Sequence, residues 1–187
     1  MIFDCICDHT SAIVTLTEHW LTDLDSSVRA ELCPNGCKIL DHTRSDRHGG
    51  GTRIIYYESL DVKKIDAGVS LRNSYEFSEW IVKSGGYSIR IAIIYRPPYS
   101  ERHPVTTNVF LTEFPDYLES LLLCKEGLLI TGDFHIHVDD FSNPDTQKIL
   151  DVLDSFDLQR HVKKPTHRDV HTLDLSITRK SERLVED

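Results

Sequence analysis

Apolar residues fall in short blocks whose spacing changes along the chain, and those changes predict the elements. Ala12-Ile13-Val14-Thr15-Leu16 and Thr52-Arg53-Ile54-Ile55-Tyr56-Tyr57 are dense in β-branched and aromatic residues and read as buried strands. Lys38-Ile39-Leu40 predicts a shorter strand. Phe77 to Lys83 and Tyr87 to Tyr95 predict a hairpin, with Ser84-Gly85-Gly86 as its turn. Arg96-Pro97-Pro98 ends the second arm, because proline has no N–H for a ladder.

Beyond the hairpin the period lengthens. Val109 to Leu123 places apolar residues at three- and four-residue spacing, predicting a helix in spite of Pro115. Leu128 to Thr131 returns to strand. Asn143-Pro144-Asp145 supplies a cap and first turn for a helix carrying Ile149, Leu150, Leu153 and Phe156 on one side. Leu173 to Ile177 is the last predicted strand. Asp23 to Leu32 is a weaker helix or turn, stopped by Pro34-Asn35-Gly36. A central hairpin followed by alternating strands and helices predicts an α/β protein with a mixed sheet. One domain is expected over residues 1–178, with residues 179–187 a charged end that joins no core.

Composition narrows the partners more than the fold. At 187 residues the chain can bury a core without staples. No run approaches the roughly 18 apolar residues of a membrane span, and the first residues lack the basic-then-apolar pattern of a signal peptide. An intracellular protein, cytoplasmic or nuclear, is expected. Cys5, Cys7, Cys33 and Cys37 read as reduced thiols, with a zinc site as the alternative. The net charge of −9 argues against tight non-specific DNA binding, which depends on neutralising phosphates. Divalent cations would offset part of that charge.

The chemistry gathers where apolar runs end. Gly132-Asp133-Phe134-His135-Ile136-His137-Val138-Asp139-Asp140 closes the Leu128-Leu129-Ile130 strand. Glu18 follows the first strand, and Asp174 sits within the last. Carboxylates in such contexts are hard oxygen ligands suited to magnesium or manganese, and to general-base work on water. They point to a metal-assisted hydrolase. The glycine run Gly49-Gly50-Gly51 lacks the Gly-Lys-Ser/Thr of a P-loop.

Five segments occur in an order that resembles a known family. They are Leu16-Thr17-Glu18-His19-Trp20-Leu21, Gly49-Gly50-Gly51, Tyr95-Arg96-Pro97-Pro98, Gly132-Asp133-Phe134-His135-Ile136-His137 and the run Pro165 to Leu175. From about Ala12 to Thr178 the chain is similar to the endonuclease domain of a LINE-type, non-LTR retrotransposon of the endonuclease/exonuclease/phosphatase superfamily. The resemblance implies a four-layered α/β sandwich with two mixed β-sheets, a deoxyribonuclease-like fold, here incomplete. It implies a divalent-metal-dependent endonuclease that nicks DNA, with Mg2+ or Mn2+ as cofactor and no membrane partner. The reverse transcriptase of a parent polyprotein is not expected in this chain.

Carried over position by position, Glu18 resembles the metal ligand and Tyr95 the tyrosine near the scissile phosphate. Asp133 resembles the acid that orients or activates water, and Asp174 the acid that positions the catalytic histidine. Thr166 would support a phosphate or an active-site loop. Arg96 is a candidate phosphate donor, with a surface salt bridge as the alternative. Arg44 and Arg47 are candidates for backbone phosphates, although a glycine-rich turn between strands explains the same segment.

Three departures stand beside the match. His135 occupies the place of the family's asparagine, keeping one donor and one acceptor in a larger ring. His135, His137 and Asp139 alternate and would share a face, which leaves a zinc or manganese site open against solvent-facing loop residues. The family's N-terminal asparagine strand and closing Ser-Asp-His motif have no counterpart here, so the resemblance implies a fragment or domesticated remnant. A non-catalytic DNA- or protein-interaction module and a phosphomonoesterase of the same superfamily are the alternative functions.

Overall fold

The computed structural model describes residues 11–21, 25–42, 50–65, 73–101 and 103–185. Two sheets pack face to face. The smaller one joins β1 (Ile13–Thr17), β2 (Cys37–His42) and β3 (Thr52–Tyr57) in the order β1-β3-β2, antiparallel throughout. The larger contains β4 (Asp61–Ile65), β5 (Glu76–Ser84), β6 (Tyr87–Tyr95), β7 (Gly127–Asp133), β8 (Leu158–Arg160) and β9 (Asp174–Arg179), in the order β4-β5-β6-β7-β9-β8. Only the larger sheet is mixed, through the parallel pair β6–β7; the expected second mixed sheet is antiparallel among the described residues.

Strand alternation divides the core. Along β6, Ile91 and Ile93 face the small sheet, meeting Ile54 and Tyr56 of β3 and Trp80 and Val82 of β5. Ala92 and Ile94 face the other way, into a layer of helices. That layer comprises α2 (Thr107–Leu122), the crossover required between parallel strands, and α3 (Pro144–Ser155). The Asn143 side chain accepts from Asp145 N at 2.9 Å, the cap expected from sequence. Phe110, Phe114, Tyr117 and Leu121 of α2 pack with Phe134 of the following loop. Helix α1 (Ser26–Leu32) lies beyond the small sheet, where Arg29 Nε donates to Asp41 Oδ2 at 2.5 Å. The layers are therefore α1, small sheet, large sheet, and α2 with α3.

Two features lay outside the sequence expectation. Strands β4 and β8 were unmarked, being short, polar edge strands whose pairing depends on β5 and β9. The C-terminal segment is also no loose end. Arg179 belongs to β9 and donates to the carbonyls of Leu122, Cys124 and Glu126 and to the Glu182 carboxylate. Glu182 Oε2 in turn accepts from Leu128 N at 2.9 Å. No helix among the described residues is long and apolar enough to cross a membrane.

Candidate active site

Register brings the acids together. Asp133, the last residue of β7, stands opposite Tyr95 on β6 and Asp174 on β9, so the three share one row and one face. Tyr95 lies two positions beyond Ile93, on the same side of β6, so that face looks toward the small sheet. From that sheet Glu18, immediately after β1, reaches across, and the Tyr95 hydroxyl donates to Glu18 Oε1. The site is thus a seam between the two sheets at one edge of the sandwich.

Left-handed backbone makes the seam. Gly132 has φ +136°, and a Cβ there would lie 1.9 Å from the Ile94 carbonyl oxygen. Only glycine lets β7 approach β6 this closely just before Asp133. His135 follows with φ +47°, a region that asparagine and histidine enter more readily than most residues. Its N–H donates to Asp133 Oδ1 at 2.9 Å, closing an Asx-type turn, and its Nδ1 lies 2.9 Å from the same oxygen. Burial alone would lower the imidazole pKa. The Asp133 carboxylate in contact, with Glu18 nearby, carries it above the ordinary histidine value instead.

The Glu18 loop is held by its own framework. Glu18 N donates to Gly51 O at 3.0 Å, and Gly51 N donates to Glu76 Oε2 at 2.8 Å. The His19 ring packs directly on Gly51, where a Cβ would come within 2.5 Å of Nε2. Burial, reinforced by Arg53, keeps the His19 imidazole below its usual pKa. Arg53 itself is paired with Asp41 at 2.5 Å. Neither His19 nor Glu76 stood out in the sequence, because their role comes from contact across segments far apart in the chain.

The remaining expectations resolve individually. Asp174 opens toward solvent at the start of β9, yet the protein around its carboxyl raises its pKa, opposed by the Thr166 hydroxyl and reinforced by Asp133. Thr166 Oγ1 accepts from Leu173 N at 3.0 Å and Asp174 N at 3.1 Å, so it supports the loop. Arg96 corrects both sequence readings. It is buried, and its guanidinium donates to the carbonyls of Phe134 and His135 and to Thr107 Oγ1 rather than facing a substrate or forming a surface salt bridge. Arg44 and Arg47 lie outside the described residues, as do Cys5 and Cys7. Cys33 donates to the Cys37 carbonyl at 3.1 Å.

His135, His137 and Asp139 do not form a metal cage. Asp139 accepts from Thr172 N at 2.7 Å and lies 3.2 Å from His171 Nδ1, while His137 stacks on His171 with centroids 4.0 Å apart. Among the described residues no three histidines, cysteines or acids are gathered to hold a metal. Magnesium, however, is commonly held by one or two carboxylates together with waters and substrate phosphates. Glu18 offers one exposed carboxylate at the seam, with Oε2 beyond the Tyr95 contact. The donor set fits that mode.

Comparison with known proteins rests on shape. No family model matches the sequence, and no curated protein matches it. Solved structures do. The AP endonuclease LMAP from Leishmania major superposes with a TM-score of 0.67 at 12% identity, over 95% of this chain and 72% of that one. A mannosyl-6-phosphatase from Bacteroides thetaiotaomicron gives 0.65 at 13% identity, over 96% and 75%. TDP2 from D. rerio, complexed with a single-strand DNA product, gives 0.62 at 10% identity, over 98% and 76%. These neighbours are of the endonuclease/exonuclease/phosphatase type. The chain has their deoxyribonuclease-like fold.

Proposed function

We propose that the chain is a divalent-metal-dependent phosphodiesterase acting on DNA, descended from the endonuclease of a LINE-type retrotransposon. The observation that carries this reading is the row Tyr95–Asp133–Asp174, with Glu18 joined to it by the Tyr95 hydroxyl. Phosphodiester hydrolysis needs a water deprotonated beside an anion, and relief of the charge that builds on the phosphoryl oxygens. Magnesium at Glu18 would supply Lewis-acid polarisation of a phosphoryl oxygen. Asp133 orients the attacking water and accepts its proton. Tyr95 fixes the Glu18 carboxylate and lies beside the scissile phosphate.

His135 extends the ancestral scheme. The acid at position 174 serves to orient an imidazole, and here the imidazole within its electrostatic reach is His135, also in contact with Asp133. His135 therefore takes the role of an imidazole in contact with Asp133 and within electrostatic reach of Asp174, able to donate to a phosphoryl oxygen. Arg96 acts at one remove, holding the Phe134 and His135 carbonyls.

The test is nicking of supercoiled plasmid by the purified chain with magnesium or manganese, beside a Glu18→Ala, Asp133→Ala double variant. Nicking that the double variant lacks supports the reading. A folded, monomeric protein that binds DNA but never nicks it would replace this reading with that of a non-catalytic binding module.

A further inference from the structure

The two loops that meet at the site each carry a large aromatic residue into solvent. Trp20 follows Glu18 by two positions and is 64% exposed; Tyr99 follows Tyr95 by four and is 65% exposed. Trp80, the other tryptophan, is 1% exposed and donates Nε1 to Ser78 Oγ at 2.9 Å, so exposure is specific to Trp20.

Backbone geometry holds Trp20 outward. Glu18 and Trp20 have φ +54° and +56°, and a bulky residue in that region is strained unless its surroundings impose it. They do so here: Glu18 N and Trp20 N donate to the carbonyls of Gly51 and Gly50, and Leu21 N donates to His19 Nδ1 at 3.1 Å. The result is a turn that sends Glu18 toward Tyr95, His19 down on Gly51 and Trp20 into water.

Tyr99 comes after the stiff Pro97-Pro98 pair and walls an open groove of about 420 Å³ with Thr106, Thr107, Asn108, Asp145 and Lys148. Arg96 ties that groove to the site, bridging Thr107 Oγ1 and the His135 carbonyl.

We propose that Trp20 and Tyr99 are stacking platforms for nucleobases on either side of the scissile phosphate. The substrate is then a base-bearing polynucleotide strand, unstacked at the point of cleavage, rather than a sugar or lipid phosphate. This rests on the DNA phosphodiesterase reading above and adds the residues that would hold the bases of its substrate. Charge explains why platforms are needed. A chain of net charge −9 gains little from non-specific phosphate neutralisation, whereas stacking is tolerant of sequence and independent of net charge.

The experiment compares a short single-stranded oligonucleotide with an abasic strand of equal length and phosphate count, each titrated with and without magnesium into the full chain. Intrinsic emission reports on Trp20, because Trp80 is buried; anisotropy of a labelled strand gives affinity. The base-bearing strand should quench Trp20 and bind on the order of tenfold more tightly than the abasic one. Trp20→Ala should remove the quench and most of the preference, with the unshifted Trp80 emission verifying the fold. Tyr99→Ala should narrow the preference further. Tyr87→Ala, at the opposite end of β6 and 81% exposed, should change neither.

Nicking or binding with a base preference that survives Trp20→Ala, or with no preference at all, overturns the platforms and leaves the phosphodiesterase reading standing. A folded protein that neither nicks DNA nor binds either strand overturns both.

Discussion

The Tyr95 hydroxyl donates to Glu18 Oε1 across 77 positions of sequence, joining the last residue of β6 in the large sheet to the residue after β1 in the small one. It joins the candidate metal ligand directly to the row that holds Asp133 and Asp174. Removing the hydroxyl leaves the Tyr95 ring in place but frees the Glu18 carboxylate. Tyr95→Phe is expected to lower kcat for plasmid nicking by roughly 10- to 100-fold, the equivalent of one hydrogen bond to a charged group, with little change in stability. Paired nicking kinetics and thermal melting measure the two effects; a melt that falls in step with activity would sink the assignment.

Gly132→Ala should be among the most damaging single substitutions. Its Cβ would be driven into the Ile94 carbonyl at 1.9 Å, and the residue sits at φ +136°. A loss of more than about 4 kcal/mol is expected, or failure to fold. Urea unfolding monitored by Trp80 emission provides the value, and a loss below about 1 kcal/mol would mean that β7 can move away from β6.

The Asp133–His135 pair makes stability depend on pH. Because the His135 pKa is raised on folding, the pair's contribution is complete below the unfolded value of 6.5 and is lost as pH rises through the higher folded value. His135→Asn keeps a residue that accepts left-handed backbone but cannot titrate. The stability difference between parent and variant should be greatest at about pH 5.5 and shrink by about pH 8.5. Urea midpoints at both pH values test this, and a difference that grows with pH contradicts it.

Asp41 anchors α1 and β3 at once, bonding Arg29 and the almost wholly buried Arg53. Asp41→Ala leaves the Arg53 guanidinium buried without its carboxylate and is expected to cost about 3–5 kcal/mol. Replacing both partners, Asp41→Leu with Arg53→Met, should recover much of that loss. Denaturant unfolding of the two variants decides it; equal losses would show that the pair is not a unit.

Ending the chain after Thr178 should destabilise it, because Arg179 and Glu182 satisfy the Leu122, Cys124 and Glu126 carbonyls and the Leu128 N–H. A drop of about 2–4 kcal/mol is expected from the unsatisfied groups left behind. A truncated chain with an unchanged melting curve would restore the sequence reading of residues 179–187 as a detached charged end.

Elements with a strong local signal were legible in advance. The hairpin of β5 and β6, the capped helix α3, the strand that leads into Glu18 and the strand that ends at Asp133 follow from periodicity, turn residues and a cap that act within a few positions. Edge strands β4 and β8 were not, since their order comes from neighbours. Arg96 shows the same limit in a side chain: an arginine beside a tyrosine at a strand end reads as a phosphate donor until packing under Phe110 and the His135 loop buries it.

The candidate site divides along the same line. Residue types and motif order alone mark Glu18, Tyr95, Asp133, His135 and Asp174, because catalysis of this kind requires hard ligands and titratable groups at the ends of strands. Which of them stand opposite one another depends on the β6–β7–β9 register. Glu18's reach to Tyr95, Thr166's support of the Asp174 loop and the outward turn of Trp20 likewise come from contacts between distant segments. Such contacts form only when the two sheets pack, and local sequence preference carries no information about which hydroxyl, carbonyl or ring it will meet across that seam.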